Sequence, residues 1–147
     1  MTENQITEQH VRARVNDWVK RVQNLYDDII SWLEPVEGLK VEQRQNATMY
    51  EELMKKFGIS PQSMPTLDIY EEGNLFARLK PIGLWIIGAN GRVDLMRKGG
   101  AVLLVDESDQ FQPPKWMAHD RQHYMEGQAL TEDSFLRLLG IEKNESV

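Results

Sequence analysis

The sequence predicts an α+β fold, a long N-terminal amphipathic helix packed on an antiparallel meander of about five strands. A short helix is expected before the sheet and another at the C-terminus. Three observations lead there. Apolar residues near the N-terminus recur at alternating spacings of four and three, the period of one helix face. The middle of the chain alternates apolar and polar residues in short runs separated by glycine-containing turns. A last apolar cluster follows a threonine and ends at a glycine, as a terminal helix does.

Thr7 is placed to cap the first helix, and Pro35 and Gly38 to stop it near Glu34. Its stripe is Val11, Val15, Trp18, Val22, Leu25, Ile29 and Trp32, with Val19, Tyr26 and Leu33 alongside. That width exceeds a coiled-coil seam and suits packing on a sheet. Residues 39–44 read as a short edge strand. Thr48-Met-Tyr-Glu51 has the form of a capping box. The helix it opens should end at Gly58, with Ile59 folding back on Leu53 or Met54. Ser60-Pro61 and Met64-Pro65 read as loop, and residues 66–71 and 75–80 as strands around Glu72-Gly73-Asn74.

The plainest local signal is Asn90-Gly91, the dipeptide suited to a type I′ hairpin turn, flanked by two apolar runs. With the turn there, Ile86 faces Leu95 and Trp85 faces Met96. Gly99-Gly100 then makes the next turn, and residues 101–105 return beside 93–97. Alternation sorts these strands into two faces. One carries Leu84, Ile86, Val93, Leu95, Val102 and Leu104 and must be covered by the protein. The other carries Trp85, Ile87, Met96, Leu103 and Val105 with Arg92, Asp94 and Glu107. This second face awaits either the chain's own tail, through Phe111, Trp116 and the last helix, or another molecule. Residues 108–128 are irregular around Pro113-Pro114. Thr131 caps a final helix with Phe135, Leu136, Leu138 and Leu139, closed by Gly140. No repeat or linker divides the chain, so residues 1–147 read as one domain, with 1–6 and 141–147 expected to fray.

With no cysteine among 147 residues, disulfides, thiolate metal sites and cysteine nucleophiles are excluded. The N-terminus lacks the basic start and apolar core of a signal peptide, and no apolar run reaches the roughly 18 residues of a membrane span. A cytoplasmic protein that makes no use of a membrane is the simplest expectation. The net charge of −6 disfavours a general nucleic-acid binder. Yet residues 74–105 hold Arg78, Lys80, Arg92, Arg97 and Lys98 against Asp94 alone. Such a basic sheet edge suits either an anionic ligand or the protection of strand edges from aggregation.

Candidate chemistry is thin. In His119-Asp-Arg-Gln-His123 a helix would place both imidazoles on one face with Glu126 a turn beyond, a donor set known for zinc or non-haem iron. The adjacent glutamate of zinc proteases is missing, and Gly127 and the nearby prolines oppose a helix. Asp68, Glu71, Glu72 and Asp94 are the carboxylates a magnesium nuclease would need, but no Asp-x-Lys or Glu-x-Lys accompanies them. Gly88-Ala-Asn-Gly91 leads into a strand rather than a helix, so it is not a phosphate loop. The reading that remains is a non-enzymatic interaction module without a cofactor. It would bind a protein partner, a second copy included, through Trp85, Ile87, Arg92, Asp94 and Met96 or through the N-terminal helix. The alternatives are a metal-dependent hydrolase built on His119, His123 and Glu126, and a binder of an anionic ligand or nucleic acid at the basic edge.

Overall fold

A computed structural model describes residues 6–86 and 89–142. The elements run α1 (Glu8–Leu33), β1 (Leu39–Met49), α2 (Glu52–Lys56), β2 (Gln62–Glu71), β3 (Asn74–Gly83), β4 (Arg92–Arg97), β5 (Gly100–Asp106), β6 (Trp116–His119), β7 (Gln128–Ala129) and α3 (Glu132–Leu138). The α+β expectation holds, but the sheet has seven strands rather than about five. All pair antiparallel in sequence order from β1 to β7. The added strands, β6 and β7, are four and two residues long, too short for alternation to be legible. No helix is long and apolar enough to cross a membrane among the described residues.

Helix α1 begins where Thr7 accepts a hydrogen bond from the His10 amide (3.1 Å) and runs 26 residues. Its stripe, from Val11 through Trp18 and Tyr26 to Leu33, is buried, with Val19 and Trp32 partly so. It lies on the sheet face formed by the rows Leu67–Leu79–Leu95–Val102 and Val93–Leu104–Ala118, whose side chains are all inaccessible to solvent. Burying each such aliphatic side chain is worth about 1.5–3 kcal/mol. The Tyr26 hydroxyl donates to the Pro65 carbonyl (3.0 Å), and burial pushes its pKa up, so it stays a neutral donor. Helix α3 packs on the same side, the Phe135 ring 5.7 Å from that of Trp32. Met54 of α2 joins the same core. The helices therefore share one face of the sheet.

Two arginines sit within this apolar stripe. Arg21 is 5% exposed and pairs with Asp17 one turn earlier (2.5 Å) and with fully buried Asp106 at the end of β5 (2.8 Å). It also donates to Ser108 Oγ and to the Gln112 carbonyl. The second oxygen of Asp106 accepts from the Ser108 and Lys115 amides (3.0 and 2.9 Å). Residues 106–115 are thereby folded against the helix, and Trp116 meets Trp18 with ring centroids 6.0 Å apart.

Asn90-Gly91 is not a turn. The partner of β4 on that side is β3, so Leu95 opposes Leu79 and Met96 opposes Arg78. Asn90 donates its amide to Asp106 (2.7 Å), and Asp106 donates to Gly91 (3.0 Å), which extends the ladder at the end of β5. Gly91 has a φ of +121°, and a Cβ there would lie 2.2 Å from the Trp18 ring. The glycine thus serves a close approach between strand and helix. Glu72-Gly73, at φ of 49° and 83°, makes the two-residue turn of the I′ kind instead. The sorting of faces survives the misplaced turn. In β4 and β5, Val93, Leu95, Val102 and Leu104 are buried because the true pairing keeps the same residue parity, while Leu84, buried, and Ile86, half-buried, lie past the end of β3 rather than in a strand beside β4.

Thr48 caps nothing. It lies in β1 opposite Ser63, and β1 runs 11 residues rather than the short stretch expected. Glu51 is the α2 cap position, and its carboxylate accepts instead from the Leu84 and Trp85 amides (2.9 and 3.2 Å) just past β3. The closure of α2 is as expected, with Gly58 at φ +67° and the Ile59 amide on the Met54 carbonyl (2.9 Å). Met64-Pro65 belongs to β2, beside the register shift between Arg44 and Ala47, where a proline costs no ladder bond. Residues 1–5 and 143–147, most of the termini expected to fray, lie outside the described residues.

Gly91→Ala should destabilise the fold by about 1–3 kcal/mol through overpacking against Trp18, with backbone strain added. Gly100→Ala, also at positive φ but in open space, should cost less. Equal shifts in urea midpoint for the two would disprove the close approach. Arg21→Met should cost about 3–5 kcal/mol by stranding buried Asp106, and adding Asp106→Leu should recover part of that loss. Strict additivity in this double-mutant cycle would mean that the two charges are not coupled.

Candidate functional site

The face of β3–β6 turned away from the helices carries three cross-strand rows. They are Arg78–Met96–Ala101, Lys80–Asp94–Leu103–His119 and Arg92–Val105–Met117. Met96 is 38% exposed and Ala101 is exposed, while Leu103, Val105 and Met117 are half-buried beneath the charged residues around them. Both arginines of the face are internally paired. Arg92 grips Asp94 two positions along the same strand (2.7 and 2.9 Å), and Arg78 grips Asp68 across to β2 (2.6 and 3.1 Å). The hydrogen bonds to their carboxylate partners raise the pKa of both arginines. The result is an apolar strip with a neutralised polar margin.

Of the five residues expected to form one patch, Arg92, Asp94 and Met96 share this face. Trp85 is elsewhere. It stands at the end of the sheet over the Arg14 guanidinium of α1, 5.8 Å from its ring centroid. Ile87 lies outside the described residues. The tail does not cover the strip: Phe135 and Trp116 pack on the helix side, and Phe111 is exposed beside His10. Nor does α1 offer its stripe to a partner, since the sheet buries it.

His119, His123 and Glu126 are not brought together. Residues 120–127 form turns rather than a helix, so the spacing of the histidines places nothing on a common face. His119 ends β6, with Nδ1 on the Tyr124 carbonyl (3.1 Å) and Nε2 on Glu107 (2.9 Å). His123 Nδ1 meets Asp120 (3.0 Å), which also accepts from the His123 amide. Burial raises the Asp120 pKa, but these hydrogen bonds outweigh it and hold the carboxyl below its ordinary value. Glu126 is exposed, and among the described residues no group of three His, Asp or Glu side chains is placed to hold a metal. The carboxylates weighed for magnesium are also dispersed. Asp68 and Asp94 are each held by an arginine, and Glu71 and Glu72 are exposed at the β2–β3 turn.

Two features went unread in the sequence because distant residues build them. Arg14 is 5% exposed and donates to the Asn90 side-chain oxygen (2.8 Å), and its Nε has no hydrogen-bond partner. Burial lowers its pKa, partly offset by Asp17 and Glu51. It lines an open cavity of about 510 Å³ with Trp85, Asn90, Glu107 and Asp109. The second is a cleft of about 560 Å³ between the β4–β5 turn, the 120–123 turn and α3. Arg97, Arg121, Arg137 and His123 line it.

No family model matches the chain, and neither a curated protein nor a solved structure resembles it significantly.

Proposed function

We propose that this protein is a non-catalytic interaction module that docks a protein partner on the outward face of β3–β6. The observation that carries the reading is one-sidedness. Every helix contributes its buried residues to one core, whereas on the opposite face Met96 and Ala101 are exposed and Leu103, Val105 and Met117 only half-buried. An apolar centre containing flexible methionines, rimmed by paired charges, is the anatomy of a protein-binding surface. Pairing within Arg92–Asp94 and Arg78–Asp68 lowers the cost of bringing those charges under a partner, since neither member is left alone on desolvation. The helix-filled opposite face offers no comparable surface.

The test uses a photoreactive amino acid in place of Met96, and separately in place of Ile30, which is 36% exposed on α1. A discrete adduct in cells from position 96, absent from position 30 and abolished by Leu103→Arg, is expected. Leu103→Arg should leave the melting temperature within about 2 °C, as surface changes do. An adduct of twice the chain mass would identify a second copy as the partner. No adduct at 96, or one indifferent to Leu103→Arg, would refute the reading.

A further inference from the structure

We infer that the cleft between the β4–β5 turn and α3 is a binding site for a small phosphate-bearing molecule. It is separate from the outward face and rests on different observations. Three arginines from three parts of the chain line it: Arg97 at the end of β4, Arg121 in the turn after β6, and Arg137 on α3. None has an ion-pair partner among the described residues, whereas Arg12, Arg21, Arg44, Arg78 and Arg92 all do. The Nε of Arg97 is buried without a hydrogen-bond partner, although its Nη1 reaches the Lys98 carbonyl (3.1 Å). Among the described residues the only carboxylate lining the cleft, Asp120, is already engaged by the ring and amide of His123. In a chain of net charge −6, a cleft with three arginines and one committed aspartate is a local reversal of sign.

The chemistry of the occupant follows from these groups. Guanidinium planes match the tetrahedral oxygens of phosphate in paired hydrogen bonds, and three of them balance a di- or polyanion better than a lone carboxylate. Gly99 and Gly100 form part of the wall, and a Cβ on Gly100 would meet nothing within 4 Å, so the backbone there stands open to a ligand. A volume of about 560 Å³ suits a phosphorylated small molecule. A polymer would need a basic track continuing beyond the cleft. Of the other cations in residues 74–105, Arg78 and Arg92 are spent on Asp68 and Asp94, and Lys80 and Lys98 alone make no continuous track.

The probe is inorganic pyrophosphate, titrated calorimetrically into the full-length protein at low ionic strength. Saturable one-site binding is expected. Arg137→Gln, on the exposed surface of α3, should weaken it at least tenfold without changing the circular dichroism spectrum. Arg97→Gln should weaken it further, and Arg92→Gln, outside the cleft, should leave it unchanged. Absence of saturable binding by the wild type would overturn the inference, as would affinity indifferent to both Arg97→Gln and Arg137→Gln. A single-stranded oligonucleotide or an anionic lipid vesicle bound more tightly than pyrophosphate, and lost in the same variants, would overturn the assignment to a small molecule.

Discussion

The Arg21–Asp106 ion pair is the constraint on which the C-terminal third of the molecule depends. A guanidinium in the middle of an apolar helix stripe can be buried only with its charge answered and its donors filled. Asp106 answers it from the end of β5, and the same carboxylate turns back to accept the Ser108 and Lys115 amides. Those two bonds fold the segment containing Pro113-Pro114 against the helix, although it has no regular structure of its own. Only then does Trp116 reach Trp18 and β6 reach the free edge of β5. A cluster of polar atoms thereby determines where an apolar strand is added. The ion pair need contribute little net stability to do this, because its value lies in excluding other placements of the loop.

What was legible in the sequence follows the range over which each signal acts. Helix α1 declares itself because Val11 through Leu33 repeats one period over about six turns, and no tertiary contact is required to see it. Thr131 and Gly140 mark α3 for the same reason, each acting within a turn of its own residue. Asn90-Gly91 misleads because the preference of an Asn-Gly pair is also local, whereas Arg14 and Trp18, more than 70 residues away, decide its actual use. Thr48 and Glu51 mislead alike, since the Leu84 and Trp85 amides compete for the glutamate and β1 claims the threonine. The Arg92–Asp94 pair could be foreseen, being two residues apart on one strand. The cleft could not, because Arg97, Arg121 and Arg137 share no spacing and meet only through the completed sheet.

The outward face and the cleft differ in how their charges are disposed. On the face both arginines are matched by a carboxylate held in a two-point grip, so the polarity there is directional. In both pairs the arginine is partly exposed and the carboxylate is the more buried member. Their consequence is for recognition, since a partner must respect the fixed orientation of the carboxylates. In the cleft the arginines are unmatched and the field is of one sign. One region favours a shape-matched surface of mixed character, and the other a compact anion.

The sheet's strict order has a consequence for biosynthesis. Each strand hydrogen-bonds only to its neighbours in the sequence, so the sheet can grow by one strand at a time as the chain emerges. Helix α1 is made first, yet the row it covers is complete only when Val102 and Leu104 have been added. Until then Trp18, Leu25 and Ile29 have only part of that face to lie on. The nascent chain must carry a partly covered amphipathic helix until β5 is made, with apolar surface open to other contacts. An element order with the helix last would have spared the growing chain that exposure.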